Sequence, residues 1–264
     1  MPSSNSRCSR VVNMPLIAND PEHVSGAAPG GAADERTAAL AVQRMFDEIS
    51  PRYDLLNHVL SMNVDRLWWW RTARAFRMKL QKPGARALDL CCGTGDMSAA
   101  LRKQSAKAAI VGADFSRGML TRGKSKFQSR AVAAVEADAL RLPFADSSFD
   151  LVVSAFGFRN LANYDAGLRE IYRVLSPGGE VGILDFSQPG GMFGKFYNFY
   201  FKNVLPKIGA MISGASGPYS YLPASVARFP SPEEMLGRMR ELGYRQPSWT
   251  PYTFGIAGLY RAGK

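Results

Sequence analysis

One short apolar segment that ends in a glycine turn, Ala87-Leu-Asp-Leu-Cys-Cys-Gly-Thr-Gly-Asp96, restricts the possible folds of this chain more than any other feature. It reads as a buried strand that stops at Gly93-Thr-Gly95, and a helical pattern follows from Met97 to Gln104. Glycine permits a tight turn and lets a ligand approach the backbone, because it carries no Cβ. The segment therefore predicts the first strand, loop and helix of a nucleotide-binding α/β sheet.

Two further apolar segments place acidic residues at the ends of predicted strands. Ile110-Val-Gly-Ala-Asp114 lies about twenty residues after the turn, where such folds bind ribose hydroxyls with an acid. Val132 to Val135 leads to Asp138-Ala139, which we expect at the edge of an adenine ring. Ser98 replaces the third glycine of the GxGxxG pattern, which favours S-adenosylmethionine over NAD. The alternative is that these acids only cap buried strand ends. That would account for a single acid, but it accounts less well for a glycine turn that is followed by two spaced acids.

Composition limits the class of protein. The chain has 264 residues, 46% of them hydrophobic and 21% charged, which suits a single α/β domain that we expect to be soluble and cytoplasmic. No apolar stretch approaches the ~18 residues of a membrane span, and no signal peptide is evident. Three cysteines and two histidines show no CxxC or HxxxH spacing, so we expect neither disulfides nor a metal site.

The net charge of +11 leaves three interpretations open. Lysines and arginines are spread along the chain, which is compatible with solubility alone, with an anionic membrane surface or with nucleic acid. For methylation of bases, the fourth-strand loop lacks the Asn/Asp-Pro-Pro-Tyr pattern, and a Pro-Cys pair is also missing. We therefore expect no nucleic-acid partner. The sequence does not indicate an oligomeric state.

The chain divides into a tail and one domain. Residues 1–35 are rich in Gly, Ala, Pro and Ser and predict a disordered tail, and residues 36–264 predict a single domain. Within it, residues 36–82 predict a helical cap over the cleft, with a first helix that Pro51 ends. The cap contains Arg66-Leu-Trp-Trp-Trp-Arg71, which packs on the sheet or forms an apolar, membrane-facing edge. The aromatic-rich residues 190–230 predict a lid of helices and loops.

The fourth and fifth strands are predicted at Phe149–Ala155 and Glu180–Phe186, with a helix between them that ends at Ser176-Pro-Gly-Gly179. Two closing strands complete the domain. The fourth strand leads into Phe156-Gly-Phe-Arg-Asn160, and ligands in such sheets bind beyond the carboxyl ends of the strands. By position alone, Arg159 is either a structural hydrogen-bonding residue or a cation that meets a developing anion.

Several longer strings give a specific resemblance. They are Phe46-Asp-x-Ile-x-Pro-x-Tyr-Asp-x-Leu-Asn57, Leu88-Asp-x-x-x-Gly-Thr-Gly-Asp96, Leu142-Pro-Phe-x-Asp146, Phe156-Gly-x-Arg-Asn160, Tyr172-Arg-Val-Leu-x-Pro-Gly-Gly179, Asp185-Phe-Ser187, Tyr219-x-Tyr-Leu-x-x-Ser225 and Phe229-Pro230. From about residue 40 onward the chain is similar to the quinone-biosynthesis C-methyltransferases of the UbiE/MenG family. The FGxRN and YxYLxxS strings are the most specific, since GTGD and LPF occur in many methyltransferases.

The resemblance implies a class I S-adenosylmethionine-dependent methyltransferase (EC 2.1.1 type) with a seven-stranded, Rossmann-like sheet. The cofactor contacts that we expect from it are Asp89, Gly93, Thr94, Gly95, Asp114, Asp138, Ala139 and Ala155. Ala155 stands where many relatives have Ser, so a contact there would come from the backbone. The implied reaction is C-methylation of a polyprenyl hydroquinol ring, with demethylmenaquinol favoured. The corresponding benzoquinol of ubiquinone biosynthesis, or both, remains the alternative, ahead of an RNA, another small molecule or a non-catalytic role.

An aromatic carbon becomes nucleophilic when a ring hydroxyl loses its proton, so the implied reaction needs a partner for the phenolate oxygen. Arg159 and Asn160 are the expected partners, and Tyr53 is expected to orient the hydroxyl or relay its proton. The prenyl tail of this substrate resides in a bilayer. The positive charge and the 190–230 insertion therefore predict peripheral docking on anionic lipid at the inner face of the membrane.

Overall fold

The computed structural model describes residues 25–27, 29–32, 34–49, 63–190 and 217–264. Its strands form one sheet. They are β1 Arg86–Leu90, β2 Ala109–Asp114, β3 Ala133–Glu136, β4 Phe149–Ala155, β5 Leu175–Phe186, β6 Arg245–Tyr252 and β7 Ala257–Gly263. The α-helices are α1 Glu35–Ile49, α2 Val64–Ala75, α3 Arg77–Leu80, α4 Asp96–Gln104, α5 Arg117–Ser129, α6 Tyr164–Val174, α7 Gly217–Arg228 and α8 Pro232–Glu241. Short 3₁₀ turns occur at Pro29–Gly31, Phe158–Asn160 and Thr253–Gly255.

The seven strands are ordered β3-β2-β1-β4-β5-β7-β6. The first five are parallel, and β7 inserts antiparallel between β5 and β6. The strand order reverses between β1 and β4, and their carboxyl ends open there into a crevice where such sheets bind ligands. The predicted class I methyltransferase sheet is confirmed.

Helices cover both faces of the sheet, which explains why its strands read as continuous apolar runs. On one face, Leu168 and Ile171 of α6 and Met235 of α8 pack into one cluster of buried side chains. On the other face, Trp68 of α2 and Leu101 of α4 belong to a second cluster. Along β4, Val152 joins the first cluster and Val153 the second, as the alternation of side chains in a strand requires.

Most predicted elements lie within one or two residues of the observed ones, but β5 begins earlier than expected. The sequence places its start at Glu180, whereas the structure extends the strand to Leu175. The register with β4 shifts between Leu175 and Glu180, and Gly178 has a φ of 75° there. The Pro-Gly-Gly segment therefore forms a bulge within a strand instead of a loop before it.

The predicted cap and tail are described in part. Helices α1, α2 and α3 lie within residues 36–82, and α7 lies within the predicted 190–230 lid. Within the predicted tail, the backbone N–H groups of Gly26 and Ala27 donate to the carbonyls of Ala162 and Leu161. Residues 1–24, 28 and 33 of the tail, residues 191–216 of the lid and Tyr53 lie outside the described residues. No helix in the described part of the chain is long and apolar enough to span a membrane.

Candidate active site

The glycine turn joins β1 to α4 with a left-handed backbone at Cys91 (φ 56°), Gly93 (φ 54°) and Gly95 (φ 90°). A Cβ on Gly95 would lie 2.4 Å from Cε1 of Phe127, so a larger residue does not fit. A Cβ on Gly93 would meet nothing within 4 Å, so the space beside it is open. Gly95 therefore lets the turn pack closely against Phe127, and Gly93 leaves the backbone of the turn open to a ligand.

Asp114 connects this turn to the end of β2. Its Oδ2 accepts a 2.7 Å hydrogen bond from the Gly93 N–H, and its Oδ1 accepts one of 2.8 Å from the Ser116 N–H. Burial raises the pKa of this carboxyl, and the two N–H donors oppose that effect. Asp114 also lines the cavity described next, so it holds the turn and still presents its carboxylate to a ligand.

A cavity of about 750 Å³, including its mouth open to solvent, lies at the carboxyl ends of the parallel strands. The predicted site residues in its wall are Gly93, Asp114, Asp138, Ala139, Ala155 and Asn160. Helix α1 contributes Ala39, Val42 and Phe46 to the same wall. Its Gln43 donates a 2.8 Å hydrogen bond to the Phe115 carbonyl, which holds the cap against the end of β2. The first cap helix, which the periodicity predicted as a helix, therefore forms part of the cavity wall.

Four other predicted site residues, Asp89, Thr94, Gly95 and Arg159, are not part of the cavity wall formed by the described residues. Asp89 and Thr94 are buried beneath the turn, and the Thr94 hydroxyl accepts a 3.3 Å hydrogen bond from Lys126 Nζ. Asp89 and Thr94 are 0% and 2% exposed, so their side chains are enclosed by the protein. Any contact of Thr94 or Gly95 with a cofactor would therefore use backbone atoms, and these contacts stay predictions.

Asp89 occupies an apolar site at the end of β1. Its Oδ2 accepts a 2.6 Å hydrogen bond from the Ser98 hydroxyl, whereas its Oδ1 is buried without a hydrogen-bond partner. Burial raises the pKa of Asp89 from 3.8 to about 7, although the Ser98 hydrogen bond acts in the opposite direction. This carboxyl therefore supports the turn from below and changes its charge near neutral pH.

Replacing Asp89 with Asn should make stability less dependent on pH. Because the folded-state pKa lies above the ordinary value, the folded chain holds this proton more tightly than the unfolded chain. The contribution is complete below about pH 4 and is lost as the pH rises through about 7. As the pH rises from 5 to 8, the free energy of unfolding of wild type should fall, and we expect the fall in Asp89→Asn to be about 2 kcal/mol smaller. Urea unfolding at both pH values checks this, and equal losses would contradict it.

The loop after β4 forms the other side of the cavity. Phe156 has a φ of 59°, which is unusual for a bulky residue, and its ring contacts Trp68 and Phe186 at centroid distances of 5.7 and 4.7 Å. The 3₁₀ turn Phe158–Asn160 follows, with Asn160 in the cavity wall. Such strained conformations concentrate at functional sites because the surrounding packing holds them in place.

Arg159 lies behind this wall in a buried ion pair. Its Nη1 is 3.0 Å from Oδ1 of Asp185 and also donates to the Phe156 carbonyl, while its backbone N–H donates to Asp185 Oδ2 at 2.9 Å. Burial raises the pKa of Asp185, and the Arg159 charge opposes that rise. No described residue accepts a hydrogen bond from Nε, which is buried. The structure therefore shows the structural role of Arg159, and its role as a cation that meets a developing anion stays a prediction.

Tyr221 of α7 completes the described site, and the sequence did not assign it a role. Its hydroxyl donates a 3.1 Å hydrogen bond to Oδ1 of Asn160. Burial raises the pKa of Tyr221 to about 12, so the hydroxyl keeps its proton at neutral pH. With its carbonyl oxygen engaged, the Asn160 amide has its NH₂ group left to donate elsewhere. The YxYLxxS string contained the signal, but only the fold brings it to Asn160.

These features define a class of protein. An open crevice at the strand-order switch, a glycine turn with free space beside it, and Asp114 and Asp138 on successive strand ends fit the methionine, ribose and adenine parts of S-adenosylmethionine. The fold and site are those of an S-adenosylmethionine-dependent methyltransferase.

The family follows from the sequence as a whole. Residues 32–264 match the ubiE/COQ5 methyltransferase family, and the chain belongs to that family. The demethylmenaquinone methyltransferase of Deinococcus radiodurans is 47% identical over 230 residues, covering 86% of this chain and 94% of the relative. The enzyme of the same name from Thermus thermophilus is 46% identical, covering 82% and 98%. The ubiquinone/menaquinone biosynthesis C-methyltransferase UbiE of Geobacter sulfurreducens is 42% identical, covering 84% and 88%.

Solved structures support the fold. A methyltransferase from Thermotoga maritima, described as a possible histamine N-methyltransferase, has a TM-score of 0.59 at 17% identity and covers 84% of this chain and 99% of its own. The [4+2]-cyclase SpnF has a TM-score of 0.57 at 18% identity, covering 90% and 97%. One of these similar structures is named a cyclase, so the fold alone does not identify the reaction. The reaction has to be argued from the family and the site.

Proposed function

We propose that this enzyme transfers the methyl group of S-adenosylmethionine to a ring carbon of a polyprenyl hydroquinol, with demethylmenaquinol as its main substrate. Two relatives named demethylmenaquinone methyltransferase are 46% and 47% identical over more than four fifths of the chain, and this likeness carries the proposal. The UbiE relatives, at 42% identity, make the benzoquinol of ubiquinone biosynthesis the second candidate substrate.

The described residues can bind and orient the cofactor as follows. The Gly93 turn would admit its methionine part, Asp114 would accept hydrogen bonds from its ribose hydroxyls, and Asp138 with Ala139 would meet its adenine. Ala155 contributes backbone atoms. When bound, S-adenosylmethionine supplies an electrophilic methyl group and a neutral thioether leaving group. The protein therefore has to position the ring carbon about 3 Å from that methyl group and raise its nucleophilicity.

The ring carbon gains nucleophilicity as its neighbouring hydroxyl gives up a proton. With its carbonyl oxygen held by Tyr221, the Asn160 amide in the cavity wall would donate its N–H groups to the oxygen that becomes negative. Arg159 stands behind it with Nε unengaged, and Asp185 neutralises part of its charge. Arg159 therefore acts through directed donors and through its hold on the loop. Tyr53 is our candidate for relaying the hydroxyl proton.

Replacing Tyr221 with Phe should lower kcat about tenfold and leave the affinity for S-adenosylmethionine unchanged. The substitution removes the hydroxyl that fixes the Asn160 amide, so this amide can rotate and present its oxygen to the substrate. Steady-state kinetics and calorimetry measure the two quantities. Tyr260→Phe is the matched control, because the Tyr260 hydroxyl is buried without a hydrogen-bond partner. A wild-type kcat in Tyr221→Phe, or an equal loss in the control, would contradict this role.

The substrate itself is tested by quinone profiling of cells that lack this protein. We expect a demethylated naphthoquinone precursor to accumulate and the wild-type gene to restore the methylated product. Accumulation of the benzoquinone precursor instead would select the second candidate. An unchanged quinone pool would contradict both.

The prenyl tail of such a substrate resides in a bilayer, so the protein has to reach a membrane surface to collect it. The net charge of +11 favours a surface that contains anionic lipid. We therefore include peripheral membrane contact in the proposed function.

A further inference from the structure

Exposed apolar side chains are concentrated on one part of the molecule. In the described ranges, five large apolar side chains are exposed, and four of them lie on α2, α3 or the adjoining turn. They are Leu67 at 50% exposure, Trp70 at 46%, Met78 at 81% and Phe254 at 83%. Single exposed apolar residues are ordinary, but a cluster of them is typical of an interaction surface.

Helix α2 and the short α3 have one exposed face and one buried face, and the residues of each face recur with helical spacing. Leu67, Trp70 and Met78 are exposed at intervals of three and eight residues, whereas Trp68 and Leu80 on the opposite face are buried in the core. The same outer face carries the exposed residues Arg66, Arg74 and Arg77. We refer to Arg66, Leu67, Trp70, Arg74, Arg77 and Met78 as the arginine face.

Acidic residues are rare along the helices that carry the arginine face. Between Val64 and Leu80 the one acidic residue is Asp65, which is 4% exposed. Across the residues that the structure describes, no carboxylate forms an ion pair with the three arginines of this face. In other described parts of the chain, five arginines form ion pairs with carboxylates, among them Arg238 with Asp165 at 2.7 Å. The arginine face therefore offers its cations to an external anion.

The arginine face lies on the reverse of the cavity wall. Trp68, on the inner side of α2, contacts Phe156 of that wall at 5.7 Å between ring centroids. Its Nε1 donates a 2.8 Å hydrogen bond to Thr253, the residue before the exposed Phe254. Helix α2 and the side chains of Trp68 and Phe156 would therefore separate a surface bound to this face from the site.

We propose that the arginine face docks on a membrane surface that contains anionic phospholipid. The arginines meet lipid phosphates, the Trp70 indole sits at the headgroup level, and Leu67 and Met78 enter the acyl boundary. Only the reason for docking rests on the proposed function: docking would bring the cavity to the bilayer, where a prenylated quinol is found. The sequence predicted this contact for the 190–230 insertion and, as one alternative, for the Arg66–Arg71 segment of the cap; the charges and exposures of the described residues support the second.

The test is vesicle flotation with phosphatidylcholine containing one third phosphatidylglycerol. Arg66→Gln/Arg77→Gln should lower partitioning about 25-fold, which corresponds to about 1 kcal/mol for each arginine near an anionic surface. The matched control is Arg169→Gln/Arg240→Gln, which removes the same charge from α6 and α8 on the other face of the sheet. It should partition within twofold of wild type. Equal losses in both variants, or none in the first, would overturn the proposal.

Trp70 gives a second, independent readout. Vesicles made with brominated phosphatidylcholine should quench the fluorescence of the protein, and Trp70→Phe should remove most of that quenching. Trp249→Phe, on β6, should retain it. Quenching that survives in Trp70→Phe would contradict the proposed insertion of the arginine face into the bilayer. If the wild-type protein self-associated and Arg66→Gln/Arg77→Gln did not, the face would instead be an interface with a second copy of the chain.

Methylation of a quinol analogue without a prenyl tail, measured without vesicles, separates this proposal from the proposed function. The Arg66→Gln/Arg77→Gln variant should turn over this analogue at the wild-type rate and lose turnover only with long-tailed quinol in vesicles. If wild type fails to methylate either substrate, the proposed function fails while the vesicle result stands. If the variant loses both activities equally, the docking role fails.

Discussion

Replacing Arg159 with Ala should lower kcat at least 100-fold and destabilise the fold by about 3–5 kcal/mol. The first effect arises because the loop that presents Asn160 loses its hold and the developing oxyanion loses a cation behind it, and removal of one oxyanion-hole donor costs about 10² to 10³ in kcat in other enzymes. The second arises because Asp185, at 0% exposure, would lose the cation that it pairs with at 3.0 Å. Binding of S-adenosylmethionine should persist, since Arg159 is not part of the cavity wall. Calorimetry, denaturant unfolding and turnover separate the three quantities.

Arg159→Lys keeps a cation beside Asp185 and distinguishes the chemical role from the structural one. It should retain most of the stability, because the buried charge stays paired, and still lose at least tenfold in kcat, because an ammonium lacks the guanidinium fork. If Arg159→Lys had the wild-type kcat, Arg159 would be a structural residue only. If Arg159→Ala were as active as wild type, its role in the site would be refuted.

Two glycines of one turn should fail in different ways when they are replaced. Gly95→Ala places a Cβ 2.4 Å from Phe127 at a φ of 90°, so we expect a stability loss of several kcal/mol from overpacking and strain. Gly93→Asn meets open space at a φ of 54°, a conformation that Asn tolerates, so the fold should persist. Its side chain would occupy the cofactor space, and the Kd for S-adenosylmethionine should rise at least tenfold.

Gly84→Asn is the control for Gly93→Asn. Gly84 has a φ of 70°, and a Cβ built on it also meets nothing within 4 Å, but it lies in the turn before β1, away from the cavity. This variant should match wild type in cofactor affinity. Calorimetry with S-adenosylmethionine that gave the same Kd for Gly93→Asn as for wild type would contradict a cofactor site over the turn.

Local patterns of the sequence predicted much of the fold and half of the site. The glycine turn, Asp114 and Asp138 lie at strand ends, and parallel strands bring their carboxyl ends to one edge of the sheet by necessity. Their meeting around one cavity therefore follows from the order of elements alone. The likeness of longer strings added the family, which the match over residues 32–264 confirms.

Local patterns of the sequence could not predict the contacts between distant segments. The sequence showed Arg159 and Asp185 as separate strand-end residues, but their pairing depends on how the loop after β4 folds back on β5. The Tyr221 contact with Asn160 spans 61 positions and needs α7 in place. The three tryptophans illustrate the same limit, since Trp68 is in the core and Trp70 is exposed two residues later. Packing on the sheet is therefore confirmed for Trp68, and the apolar, membrane-facing edge stays a prediction for the exposed Trp70.

Methyl transfer by the purified protein tests the central claim most directly. The protein is incubated with short-chain demethylmenaquinol and S-adenosylmethionine labelled with deuterium in its methyl group, and the product is analysed by mass spectrometry and NMR. We predict one labelled methyl group, bound to a carbon of the naphthoquinol ring. A labelled methyl group on the quinol oxygen, or no transfer by a protein that binds S-adenosylmethionine, would contradict the account.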